Sequence, residues 1–329
     1  MKILYAIQAT GNGHISRAQY VIPYLEKYGQ VDTLVSGSNA TLQPNFAVTY
    51  KSCGMSLFYK KCGSIDKTAL LYKNNYAKAI KDAIDLPVKN YDLIINDFDF
   101  VTALACKLRG KRSVQFGHQA SFMSDHAPRP EQKSIAGEFV LSNYARATHY
   151  VGLHFQKYDD FIFPAVIKPE IINATPKDHG HITIYLPSYD DDCFKSEIKK
   201  LKHLRFEWFD KGVSRPKVEG NITFFPISNE LFTKSMINCH GIITGGGFET
   251  PAEALYMKKR ILAVPINGQY EQQCNAAALE KMGVPTVLNI DNKTIGKQIN
   301  QWLDMPWNIP TIESNKLAET MDYIVNAHL

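Results

Sequence analysis

Residues 242–275 constrain this chain more than any other stretch. A short apolar run at 241–244 predicts a buried strand; Gly245, Gly246 and Gly247 follow, and a helical pattern then runs over 248–257. A second apolar run at 261–264 stops at Pro265, and a polar cluster at 269–273 leads into another helix. Strand, glycine turn, helix, strand is half of a doubly wound α/β unit. Glycines at such a turn let a ligand approach the backbone. The helix N-terminus behind them offers unpaired N–H groups and a positive dipole end to an anion. Glu253 within the helix and Glu271-Gln272 after the next strand fall on the same edge, which gives an anion site beside groups suited to polyol hydroxyls.

The same alternation begins the chain. Residues 3–7 predict a central parallel strand, followed by Thr10-Gly-Asn-Gly-His-Ile-Ser-Arg17 and a helix. The turn departs from a dinucleotide fingerprint: Ser16 and Arg17 occupy the region of the third glycine, and Asp32 opens the next strand where a ribose-binding acid should end it. Gly11 and Gly13 place His14 in the first turn of a helix at the mouth of the sheet, where an imidazole can take a proton from a hydroxyl. The competing reading is a capping or surface histidine. Residues 91–97 predict a strand ending in an acid. Asp97-Phe98-Asp99 formally matches a D-x-D metal motif; alternatively, one of the two carboxylates orients His14 and raises its basicity. His118, at the end of a strand over 113–117, is a further polar candidate for the cleft. A strand over 148–153 should close the first half. Residues 154–180, with Pro164, Pro169 and Pro176, read as an interdomain linker. The second half should carry strands over 181–186, 204–208 and 221–225, and helices over 191–202, 228–236, 294–303 and 314–327.

A hydrophobic fraction of 45% and a charged fraction of 21% describe a soluble globular chain, long enough at 329 residues for two domains. The net charge of +5 is spread over clusters such as Lys60-Lys61 and Lys258-Lys259-Arg260, which suits a solvated surface and does not point to nucleic acid. Attraction to an anionic substrate or to membrane headgroups is the competing use, with aromatics and lysines mixed over 57–61 and 70–72. Six cysteines without a C-x-x-C or metal-ligand spacing predict buried free thiols in a reducing compartment. With no spanning apolar run and no cleavable leader, the expected location is cytoplasmic, with contact to the inner face of a membrane left open.

Taken together, Gly11-Asn-Gly-His14, the run G-G-G-F-E-T-P-A-E-A-L at 245–255 and the run P-I-N-G-Q-Y-E-Q-Q-C-N-A at 265–276 resemble the GT-B glycosyltransferases, in particular those related to the peptidoglycan N-acetylglucosaminyltransferase (family 28) and the UDP-glycosyltransferases. The resemblance spans nearly the whole chain and is plainest over 240–283. It implies an α/β fold of two facing Rossmann-like domains, with parallel sheets and a cleft between them. An acceptor-binding domain would cover 1–160, a linker 161–180, and a donor-binding domain 181–310; a helix over 311–329 would pack back toward the first domain. It further implies that Thr244, Gly245, Gly246, Gly247, Phe248 and Thr250 hold the donor diphosphate, and that Glu253 binds the ribose. Glu271 and Gln272 would read sugar hydroxyls, Phe225 and Ile227 would hold the base, and Ser188 and Gly13 would lie near the phosphates. Asn12, Arg17 and His118 would face the acceptor, and His14 would act as base with Asp97 or Asp99. The implied activity is an inverting, metal-independent transfer from a UDP-sugar to an acceptor hydroxyl on a glycan, a glycolipid or another small molecule, a lipid-linked one included, with no cofactor. The alternatives are an isomerase resembling UDP-N-acetylglucosamine 2-epimerase and a non-catalytic nucleotide-sugar-binding subunit. Glu249 departs from the family pattern. A charge beside a diphosphate is costly unless it points away, and the sequence offers no account of it.

Overall fold

A computed structural model describes residues 1–38, 40, 42–60, 63–288, 293–308, 311–313 and 316–328. Its strands are β1 Lys2–Gln8, β2 Gln30–Ser36, β3 Tyr50–Ser52, β4 Tyr59–Lys60, β5 Ser64–Ile65, β6 Leu93–Asp97, β7 Val114–Gly117, β8 His149–His154, β9 Ile162–Pro164, β10 His181–Tyr185, β11 Arg205–Asp210, β12 Lys217–Glu219, β13 Ile222–Pro226, β14 Gly241–Gly245 and β15 Arg260–Val264. The helices are α1 Asn12–Leu25, α2 Lys67–Lys73, α3 Tyr76–Asp85, α4 Phe100–Arg109, α5 Ile135–Asn143, α6 Pro169–Ile172, α7 Lys195–Lys200, α8 Asn229–Asn238, α9 Glu249–Tyr256, α10 Tyr270–Lys281, α11 Ile295–Asp304 and α12 Leu317–His328.

The first sheet has seven strands in the order β3-β2-β1-β6-β7-β8-β9, all parallel. Residues 3–7 of β1 are wholly buried, which is why this central strand reads as an unbroken apolar run. The second sheet has six strands in the order β12-β13-β11-β10-β14-β15, parallel except for the edge strand β12. Each order reverses beside its first strand, between β1 and β6 and between β10 and β14. Such switch points open a crevice at the carboxyl ends of the strands. The turns after β1, β6, β10 and β14 therefore meet where ligands bind in this architecture.

Three sequence-level expectations change. The linker contributes a seventh strand, β9, and a one-turn helix, α6, both carried by prolines at positions a short edge strand and a first helical turn accept. The helix expected over 191–202 is shorter, with a 3₁₀ turn at Asp191–Cys193 ahead of α7. Cys53, Cys106, Cys239 and Cys274 are free thiols, but Cys193 is disulfide-bonded, so the expectation of free thiols throughout does not hold. Lys61 and Cys62 lie outside the described residues. Helix α12 lies against the first domain: Met321, Ile324 and Val325 share a core with Ile15, Ala18 and Ile22 of α1, and the Tyr28 hydroxyl donates to Asp322. Among the described residues, no helix is long and apolar enough to cross a membrane.

Candidate active site

Strands β1 and β6 pair with Ile7 opposite Asp97, so the turn after β1 and the end of β6 are neighbours. This brings His14, in the first turn of α1, to Asp97: Nδ1 lies 2.9 Å from Oδ1. Arg17 Nη2 stands 3.1 Å from the same Nδ1; an ionised carboxylate only accepts, and in the tautomer whose Nδ1–H donates to Asp97 the Nε2 atom keeps its lone pair. The ring is 14% exposed, while Asp97 is fully buried. Asp97 also accepts from Arg17 Nη2, at 2.8 and 2.9 Å, and from the Tyr5 hydroxyl at 3.4 Å. Burial pushes the Asp97 carboxyl up, but the Arg17 guanidinium and His14 outweigh it and hold the group below the usual carboxylate range. Gly117 makes room for this cluster, since a Cβ there would stand 2.7 Å from Asp97 Oδ1.

Asp99 does not join it. In an extended strand, residues two apart share a face, but Phe98 has a φ of 56° and turns the chain between the two acids. Asp99 caps α4, accepting from the Thr102 N–H at 2.6 Å, and Asn96 brackets it from both sides. Burial raises its carboxyl above the usual range. The two acids of the D-x-D string thus face different partners. Among the described residues, no three His, Cys, Asp or Glu side chains are grouped as a metal ion would need.

Between the domains lies a cleft of about 650 Å³. Asn12 and Gly13 line it from the first domain, and Ser188, Ile227, Gly247, Phe248, Thr250, Glu253 and Gln272 from the second. The three glycines differ. A Cβ on Gly246 would meet the Gln272 carbonyl at 2.8 Å and Pro265 at 2.9 Å, so its bareness serves packing against α10. A Cβ on Gly247 would meet nothing within 4 Å, so its bareness leaves room in the cleft at the N-terminus of α9. Gln272 Oε1 accepts from the Ile266 N–H at 2.9 Å, which fixes the carboxamide at the cleft wall. Thr244 is buried within β14, Phe225 stacks on Phe209, and neither they nor Gly245 and Glu271 line the cleft.

His118 is not a cleft residue. It is 1% exposed, its Nδ1 bonds the Leu153 carbonyl, and its ring stacks on Phe248 at 4.1 Å, so it belongs to the contact between the domains. Asn12 ties the wall together instead, with Oδ1 accepting from the Leu42 N–H at 3.0 Å and its amide facing the Tyr185 hydroxyl across the domains. Arg17 is likewise buried rather than open to an acceptor: one arm holds Asp97 and Nη1 holds Glu249 from the other domain. This pairing gives Glu249 a partner, while its side chain stays 23% exposed and lines the cleft.

Sequence reasoning missed Lys168. It lines the cleft from the linker, and its Nζ reaches Glu253 Oε1 at 3.2 Å, Asn229 at 3.2 Å and Thr233 at 3.4 Å. Burial raises the Glu253 carboxyl while Lys168 opposes it. A lone lysine in a proline-rich linker carries no periodic or motif signal, and only the fold shows that it is buried.

Residues 1–303 match the sequence family described as glycosyl transferase family 1. No match was found among curated protein sequences. Three solved structures share the fold at low identity. The glycosyltransferase VinC, in complex with DTDP, has a TM-score of 0.56 at 12% identity, covering 100% of this chain and 99% of that one. MurG of Acinetobacter baumannii has a TM-score of 0.55 at 15% identity, covering 99% of each chain. UGT89C1 of Arabidopsis thaliana, complexed with UDP, has a TM-score of 0.58 at 12% identity, covering 99% of this chain and 94% of that one. With two parallel Rossmann-like sheets facing a shared cleft and a family match over most of its length, this chain is a glycosyltransferase of GT-B fold and belongs to glycosyl transferase family 1.

Proposed function

We propose that the enzyme transfers a sugar, with inversion and without a metal, from a UDP-sugar to an acceptor hydroxyl. The observation that carries this is the pairing of His14 with Asp97 directly behind Gly13, a lining residue of the cleft that also presents Gly247, the α9 N-terminus and Glu253; His14 itself is 14% exposed and is not among the lining residues. His14 Nε2 takes the proton of the acceptor hydroxyl as its oxygen bonds to the anomeric carbon. The bond from that carbon to the diphosphate oxygen breaks, and the diphosphate leaves with the electron pair. The N–H groups and dipole of α9, with Thr250, meet the charge on the leaving group. Glu253, steadied by Lys168, accepts from the ribose hydroxyls, and Gln272 reads the sugar. UDP is the favoured nucleotide, since UGT89C1 was solved with it; DTDP in VinC is the competitor.

A lipid-linked acceptor at the cytoplasmic membrane face is consistent with exposed Leu71, Tyr72, Ile80 and Ile84 on α2 and α3, set among Lys67, Lys73, Lys78 and Lys81. Co-sedimentation with anionic but not neutral vesicles is expected, and no sedimentation with either would remove that part. For the chemistry, His14→Ala should lower turnover by roughly 10²–10⁴-fold while UDP still raises the melting temperature. Unchanged turnover would take His14 out of the mechanism. Activity that survives EDTA is expected, and loss restored by added Mg²⁺ would refute metal independence.

A further inference from the structure

We propose that Glu249, carried by the donor domain, switches on the base of the acceptor domain by engaging Arg17 when the cleft closes. This rests on His14 being the base. Arg17 is 3% exposed and reaches both ways: Nη2 donates to both oxygens of Asp97, and Nη1 donates to Glu249 Oε1. Its Nε has no hydrogen-bond partner among the described residues, and its Nη2 also stands 3.1 Å from His14 Nδ1, so the guanidinium sits between the two carboxylates and against the imidazole itself. Counting charges gives the consequence. Without Glu249, Arg17 and Asp97 neutralise each other, and a proton arriving on His14 leaves an uncompensated positive charge in a buried cluster. With Glu249 docked, Arg17, Asp97 and Glu249 sum to one negative charge, and the imidazolium formed by proton abstraction brings the cluster to neutrality. Burial of Arg17 and Asp97 magnifies that difference, and the 23% exposure of Glu249 at the cleft tempers it.

The local sequence is built for this contact. Glu249 opens α9 directly after Gly247 and Phe248, so the turn that faces the donor carries the carboxylate with it. A Cβ at position 13 would stand 2.6 Å from Glu249 Oε2, so glycine in the first turn of α1 lets the carboxylate approach. The groups facing the cluster are Tyr5 from β1, Asp97 from β6, Arg17 from α1, Glu249 from α9 and, at longer range, Glu271 from α10. Glu249 is thus a positioning residue, acting on His14 through Arg17. It makes the base competent only when the donor-binding turn is in place.

The test is a histidine Cε1–H NMR titration of the full chain, with the His14 signal assigned by its loss in His14→Gln, in the presence of UDP. Glu249→Gln should lower the His14 midpoint by about 0.5–1 pH unit, less than the roughly 1–3 expected from a charge in direct contact. Glu249→Asp should restore part of it, and Arg17→Met should move it upward. A purely structural bridge would not move the midpoint in opposite directions. Midpoints unmoved in Glu249→Gln, or lowered equally in both variants, overturn the inference. If Arg17→Met does not fold, Glu249→Gln and Glu249→Asp decide it alone. The titration reads the coupling without turnover, so loss of the base assignment through an active His14→Ala enzyme is a separate outcome.

Discussion

Replacing Lys168 with Met should produce a stability loss that depends on pH. Lys168 and Glu253 are 6% and 4% exposed, with Nζ 3.2 Å from Oε1. At an effective dielectric of about 20, that separation corresponds to an attraction of about 5 kcal/mol, most of it offset by desolvation. Removing one partner strands the other charge and costs about 3–5 kcal/mol. Glu253 can escape by taking up a proton. Burial already raises its carboxyl, and Lys168 is the group that opposes the rise. A carboxyl raised in the folded state contributes stability that is full below the unfolded carboxylate pKa and is lost as pH rises through the folded value. Lys168→Met raises that folded value further. The deficit relative to wild type should therefore be largest near pH 8. Near pH 4–5 it should shrink toward the loss of the Asn229 and Thr233 hydrogen bonds, about 1 kcal/mol each. Thermal melts at several pH values, at roughly 2–4 °C per kcal/mol, would read it. Lys168→Met/Glu253→Gln, which leaves no charge to strand, should melt above Lys168→Met at pH 8. A deficit that is the same at every pH, or a double variant no better than the single, would refute the stranded-charge reasoning.

Other expectations separate residues that look alike in the sequence. Gly246→Ala should cost about 1–3 kcal/mol, because the new methyl meets Gln272 and Pro265. Gly247→Ala should melt like wild type but respond less to UDP; equal melting losses would sink the distinction. Asp99→Ala should lose the α4 cap, about 1–2 kcal/mol, and leave turnover intact, whereas Asp97→Asn should lower turnover by roughly 10²-fold or more. Equal turnover losses would show that both acids serve the base. Although burial opposes it, Asp97 is held below the usual range by Arg17 and His14, so its stabilisation is present above the ordinary carboxylate pKa and is lost as pH falls through the lowered value. Asp97→Asn should flatten the fall of melting temperature below about pH 4; a slope unchanged from wild type would contradict the ion-pair account.

Much of the fold was legible in the chain itself. Parallel strands buried on both faces must read as short apolar runs, and helices that cover them must read as amphipathic, so the alternation through 1–8, 91–97, 181–185 and 241–264 fixed an α/β architecture with two halves. The glycine turn before α9 was visible for the same local reason. Edge elements were harder. Strand β9 is three residues long, and β12 pairs antiparallel through three residues, too short for any period to register.

What lies across the cleft was decided by tertiary structure. Asp97 and Asp99 are indistinguishable on paper, and a single left-handed residue, Phe98, sends one to His14 and the other to a helix cap. Glu249 looked like a charge misplaced beside a phosphate turn until Arg17, 232 positions away, was found to hold it. Lys168 had no signal at all. Local sequence dictates which backbone conformation and which face a residue takes, because those depend on near neighbours. The partner a buried charge finds depends on which strand ends the topology makes adjacent, and no window along the chain contains that information.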